Sequence, residues 1–129
     1  AVSDQDEILL ERQYRTALDE VILEIPAGKV DGGEDRLAAA RRELEEETGY
    51  SAARLEHLGD VVLAAGYSDE IITLYLATGL RAGIEKPDAD EFLEWEFIPR
   101  SHVLELIRSN DIQDSKTICA MFHYEMRRK

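Results

Sequence analysis

The sequence predicts an α/β domain in which a mixed β-sheet is sandwiched between α-helices. Three observations carry this expectation. Short runs rich in Val, Ile, Leu, Thr and Tyr lie both before and after one central helical segment, that segment is bracketed by a Gly/Pro loop and a glycine stop, and two further helical segments close the chain. At 129 residues and 44% hydrophobic composition the chain has the size of one domain with enough apolar residues for an ordinary core.

Residues 8–13 and 20–25 read as strands, the second with Val21, Leu23 and Ile25 alternating against Glu20, Ile22 and Glu24, and with Leu18 and Asp19 between the two strands. Residues 26–33, with three glycines and one proline, form a loop. A helix follows over 35–48, because Leu37, Ala40 and Leu44 repeat at three and four residues and Gly49 is a stop signal. Residues 59–65 and 70–78 read as two strands joined by Gly66-Tyr-Ser-Asp69. After an acidic loop over 81–90, Leu93, Trp95 and Phe97 alternate with Glu94 and Glu96 in a strand with one wet face, closed by Pro99. Ser101 is placed to cap a short helix through Arg108. A last helix over 115–127 shows an apolar stripe of Ile118, Met121, Phe122 and Met126.

A formal charge of -13, from 28 acids against 15 bases, opposes non-specific binding to nucleic acid, whose phosphates recruit Lys and Arg. A phosphate-bearing partner then needs a local device, and a divalent cation gathered by carboxylates is the obvious one. The single Cys119 makes no internal disulfide and suits a reducing compartment, so cytosol is the default expectation. There is no apolar run of membrane-spanning length, and the opening AVSDQDE is acidic where a signal peptide is basic and then apolar. The first residue is Ala1 and not Met, which leaves sequence upstream of it as an open expectation.

The central helix holds the sharpest feature. Glu43 and Glu47 are four residues apart and Glu43 and Glu46 three, so their side chains share a face; Glu45 adds a fourth carboxylate within little more than a turn. Arg41 and Arg42 relieve only part of that repulsion, and the carboxylates sit in the helix half where the dipole disfavours anions. Sequences keep such conflicts mostly at functional sites. The plain alternative, a solvated Glu-rich face, applies to RRELEEE alone.

With its flanks, GKVDGGEDRLAAARRELEEETGY resembles the Nudix signature: Gly28, Glu34, Arg42, Glu43, Glu46, Glu47 and Gly49 occupy its seven fixed positions, and Tyr50 stands where a bulky aliphatic is usual. The resemblance implies a Nudix fold and a hydrolase that cuts a diphosphate linkage with magnesium, manganese being a substitute. It implies Glu43, Glu46 and Glu47 as metal ligands together with the main-chain carbonyl of Ala27, Arg42 holding the glutamates, Glu46 also acting in catalysis, and Glu34 bracing the loop. A general base is expected in the acidic loop, where Asp88, Asp90 and Glu91 are candidates and Glu91 is the choice.

Beyond the box, Glu11-Arg-Gln-Tyr-Arg15, Leu23-Glu-Ile-Pro-Ala-Gly28 and Gly66-Tyr-Ser-Asp-Glu70 resemble the ADP-ribose pyrophosphatases, enzymes that yield AMP and ribose 5-phosphate, with lesser support from Asp90-Glu-Phe-Leu-Glu94 and Asp114-Ser-Lys-Thr117. That resemblance implies a small-molecule nucleotide substrate, with Arg12 and Arg15 meeting its phosphates or terminal ribose and Glu24, Ser68, Asp69 and Glu70 orienting ribose hydroxyls; surface ion pairs and turn formation are the plain alternatives. Ala65 stands where that group commonly has a proline, which leaves other nucleoside diphosphate sugars and dinucleotides open. The group's N-terminal sheet, which helps build a homodimer, has no counterpart in residues 1–129, so either it lies upstream or adenine is held differently. A sensing domain that retains the fold without turnover is the rival of another class. His57, His102 and His123 show no ligand spacing, so no zinc site is expected, and Cys119 and Trp95 read as core residues.

Overall fold

The computed structural model describes residues 1–83 and 94–128. Its elements are strands β1 (Glu7–Arg15) and β2 (Glu20–Glu24), helix α1 (Arg36–Thr48), strands β3 (Tyr50–Val62), β4 (Ile71–Ala82) and β5 (Glu94–Pro99), and helices α2 (Arg100–Arg108) and α3 (Ser115–Arg127). Strands β2, β1 and β5 form one sheet in that order and β3 and β4 a second, with each of these pairings antiparallel.

Strand β1 organises the layers. Ile8, Leu9, Leu10 and Glu11 are all buried, which marks a strand covered on both faces. Ile8 and Leu10 join Ile98, Val103, Ile112 and Met121 in a core beneath α2 and α3. Leu9 points the other way, into a second core with Leu44 of α1 and Ala52 and Ala77 of the β3–β4 hairpin. The α/β architecture expected from the sequence is therefore present, with the β2-β1-β5 sheet between helices.

Local signals set the ends of α1. Asp35 is its N-cap, accepting from the Ala38 amide at 3.4 Å, and Gly49 ends it at φ 77°, a left-handed conformation that costs glycine little. Asp114 caps α3 in the same way, accepting from the Thr117 amide at 3.2 Å.

Several expectations are corrected. On α1 the buried residues are Ala39, Leu44 and Thr48, while Leu37 is exposed, because the helix packs along one edge of the hairpin and not over its whole apolar stripe. Strand β3 starts at Tyr50, directly after Gly49, nine residues before the expected start at 59; its first half mixes charged and small residues that hide the strand pattern. Ser101 caps nothing: α2 starts at Arg100 with Pro99 as its N-cap and no side-chain cap. On α3, Met121 is buried but Phe122 and Met126 are exposed, and the inward face is completed by the polar Lys116 and Thr117. In β2 the expected wet residue Glu24 is 1% exposed whereas Val21 is exposed. Trp95, expected in the core, is also partly exposed, and Ile98, on the opposite face of β5, is the buried residue of that strand.

Candidate active site

The box folds as a loop against a helix edge, and glycine makes the approach close. A Cβ on Gly28 would fall inside the Glu43 carboxyl group, so only glycine lets the loop backbone lie over that side chain. The loop closes on itself through the Glu34 amide to the Asp31 carbonyl at 2.9 Å and the Asp31 amide to Glu34 Oε1 at 3.2 Å.

Arg42 ties this loop to the helix. Its Nε donates to Glu34 Oε2 at 2.9 Å and its Nη2 to Glu34 Oε1 at 3.0 Å, a two-pronged grip that suits the planar guanidinium. Its Nη1 donates at 3.0 Å to both Glu43 Oε1 and Glu46 Oε2, and Nη2 also reaches the Lys29 carbonyl at 3.2 Å. Hydrogen bonds from Arg42 hold the Glu34 carboxyl below the usual range. Burial pushes the Glu43 carboxyl up; Arg42 opposes this and Glu46 and Asp31 add to it.

Glu47 lies on the other side of the same edge. One of its oxygens accepts from the Ala27 amide at 3.3 Å, which brings the last residue before the box to the helix. Its carboxyl also faces that of Glu11, close enough for a hydrogen bond when one of the two is protonated. Burial first, then the Glu11 carboxyl, drives Glu47 up to about 9 from 4.5. Glu11, a β1 residue, is 0% exposed; Gln13 Nε2 donates to its Oε2 at 3.3 Å, and its Oε1 has no partner among the described residues.

On the adjacent strand the electrostatics reverse. Glu24 sits directly across the ladder from Glu11 and is equally buried, but both its oxygens are taken. Arg15 donates from Nε and Nη2 at 2.6 Å each, and Lys116 Nζ also donates to it while bonding Asp114 at 3.0 Å. Burial raises the Glu24 carboxyl, but the hydrogen bonds and charges of Arg15 and Lys116 outweigh it and leave it below its ordinary value.

The other sequence candidates are spread over the surface. Arg12 pairs with Glu96 at 2.6 Å between half-exposed side chains. Ser68, Asp69 and Glu70 occupy the loop between β3 and β4, where the Ser68 hydroxyl accepts from the Glu70 amide at 3.2 Å and so shapes the turn. Asp88, Asp90 and Glu91 lie outside the described residues. Tyr50 fills the last box position by packing edge-on against Trp95 and Phe97, with ring centroids 5.3 and 5.4 Å away. Sequence reasoning missed Glu11 and Lys116 as members of these clusters. The available signal for Glu11 was an acid in EILLERQYR just after three apolar residues of a strand.

Among the described residues, no three acidic, His or Cys side chains already converge as a cage. Glu43 and Glu46 are instead turned to Arg42, and Glu47 to Ala27 and Glu11. The donor set still fits a hard divalent cation: its side chains are all carboxyls, and it includes the unpartnered oxygen of buried Glu11 beside the half-buried carboxyl of Glu47.

The sequence profile of the NUDIX domain matches residues 1–120. The chain belongs to the Nudix family. This chain is 38% identical over 129 residues to the ADP-ribose pyrophosphatase of Bacillus subtilis (strain 168), which covers 98% of it and 70% of that protein. It is 40% identical over 131 residues to the methanol dehydrogenase activator of Bacillus methanolicus, covering 98% of this chain and 69% of the other. The crystal structure of an ADP compounds hydrolase superposes with a TM-score of 0.86 at 27% identity, over 97% of this chain and 68% of that one. These similarities place the chain among the Nudix pyrophosphohydrolases. No helix among the described residues is long and apolar enough to cross a membrane.

Proposed function

We propose that this Nudix chain hydrolyses the diphosphate linkage of ADP-ribose or a related nucleoside diphosphate sugar, giving AMP and ribose 5-phosphate from ADP-ribose. The observation that carries the reading is the edge of α1, where Glu43 and Glu47 stand over the Gly28 loop with Arg42 gripping Glu34, Glu43 and Glu46 together.

In this reading magnesium, or manganese in its place, is held by Glu43, Glu46, Glu47 and the Ala27 carbonyl, and when bound it neutralises phosphoryl charge and acidifies water. Arg42 is a positioning residue: its fork fixes the carboxylates that would otherwise repel one another. Arg15, half-exposed and fixed by Glu24, presents the rest of its guanidinium for a substrate phosphate, so Glu24 acts through Arg15 and not on a ribose hydroxyl. Arg12, Ser68, Asp69 and Glu70 remain its proposed contacts to phosphate and ribose, and Glu91 its general base. The working form is a homodimer in the cytosol.

A second substrate has a specific observation behind it. The chain is 32% identical over 125 residues to the GDP-mannose pyrophosphatase of Salmonella paratyphi B (strain ATCC BAA-1250 / SPB7), which covers 90% of the chain and 65% of that protein. Incubation with magnesium and either ADP-ribose or GDP-mannose, with products separated by chromatography, distinguishes the two. AMP and ribose 5-phosphate are expected from ADP-ribose; cleavage of GDP-mannose alone would move the substrate, and binding of ADP-ribose without turnover would make this a sensing domain.

A further inference from the structure

We propose that Glu11 is an additional acidic donor to the divalent cation of the box helix, offering its unpartnered Oε1 from strand β1 beside Glu47. The proposal rests on the reading that Glu43, Glu46 and Glu47 hold that cation, and it adds a residue outside the box to them.

A carboxylate at 0% exposure in the middle of a sheet is unfavourable unless a cation or several donors meet it. Glu11 has one long bond, from Gln13 at 3.3 Å, and nothing on Oε1 among the described residues. The strand next to it shows what a structurally satisfied carboxylate looks like here. Glu24, its cross-strand partner, is as buried and has two cations, Arg15 and Lys116, with both oxygens occupied. Both cations bond Glu24; Lys116 acts on Glu11 only through space, and the side chain that Glu11 meets directly on its other flank is another carboxyl, Glu47. A leucine or glutamine at position 11 would fill the space without the conflict, so packing does not account for an acid there. Two carboxyls in contact, joined to a helix edge that carries two more, form an all-oxygen anionic set of the kind that hard divalent cations take. Glu11 also approaches from the sheet while Glu43, Glu46 and Glu47 approach from the helix, which brings donors to the cation from two directions.

The test is Mn2+ binding to the full chain, read by the electron paramagnetic resonance signal of free Mn2+, with circular dichroism to verify folding. Wild-type protein should bind Mn2+, and Glu11→Gln, which keeps the shape and removes the charge, should bind it about ten-fold more weakly or worse. Wild-type protein that takes up no Mn2+ at millimolar concentration would overturn both this proposal and the cation reading beneath it. Wild-type binding matched by Glu11→Gln would overturn the Glu11 proposal alone and leave the pair as two carboxyls sharing a proton. If Glu11→Gln does not fold, Glu11→Asp, which keeps the charge but withdraws it by one methylene, is held to the same criterion.

Discussion

Glu11 and Glu24 are the same residue type, on neighbouring strands, opposite one another in register and equally hidden from water, yet they have opposite electrostatic surroundings. Glu24 closes a cluster with Arg15, Lys116 and Asp114 that ties β2 to α3. Glu11 meets Glu47 and, through it, the box helix. The difference teaches that burial of an acid is not itself a functional sign. What matters is whether the acid is met by cations within the fold: the first cluster is complete and acts as structure, whereas the second sets two carboxyls against each other with no cation bonded to either among the described residues, an arrangement that a divalent cation would answer.

The comparison breaks most visibly in catalysis. Glu47→Gln should lower kcat by roughly 10²- to 10³-fold, the equivalent of several kcal/mol of lost transition-state stabilisation, while nucleotide binding changes little. Steady-state kinetics at saturating magnesium measure it, and an unchanged kcat would remove Glu47 from the cation site. A complementary change on the other side strikes stability and not chemistry. Lys116→Met removes one partner of a buried ion pair and should cost about 3 kcal/mol in urea unfolding, because Glu24 is left with the half-exposed Arg15 alone. A variant as stable as wild type would show that the Glu24 cluster is not what holds β2 to α3.

The smallest effect sharpens the contrast by its sign. Glu24 lies below its ordinary value, so its contribution is present above the unfolded value near 4.5 and is lost as pH falls below it. Glu47 is raised to about 9, so the folded state binds its proton more tightly than the unfolded state does, and the associated stability is lost as pH climbs from 4.5 towards 9. The melting temperature of metal-free protein should therefore carry a downward contribution across that upper window, and Glu47→Gln should flatten it. The acid limb, to which Glu24 contributes together with Glu34 and Asp60, should remain in that variant. A curve that Glu47→Gln leaves unaltered above pH 4.5 would place the surplus charge elsewhere.

Much of this site was legible before any coordinates. Asp35, Gly49 and the spacing of Arg42, Glu43, Glu46 and Glu47 are properties of one continuous segment, and a helix converts spacing of three and four residues into a shared face whatever surrounds it. The family followed from that segment. The tertiary structure alone decided which strand acids are buried, that Gly28 clears space for Glu43, and that Glu11 lies against Glu47, 36 positions along the chain. A strand offers the sequence reader only an alternation, and alternation stops carrying information once both faces are covered, as they are for β1. The charge state of a buried carboxyl depends in turn on distances between separate elements, and no local pattern encodes those.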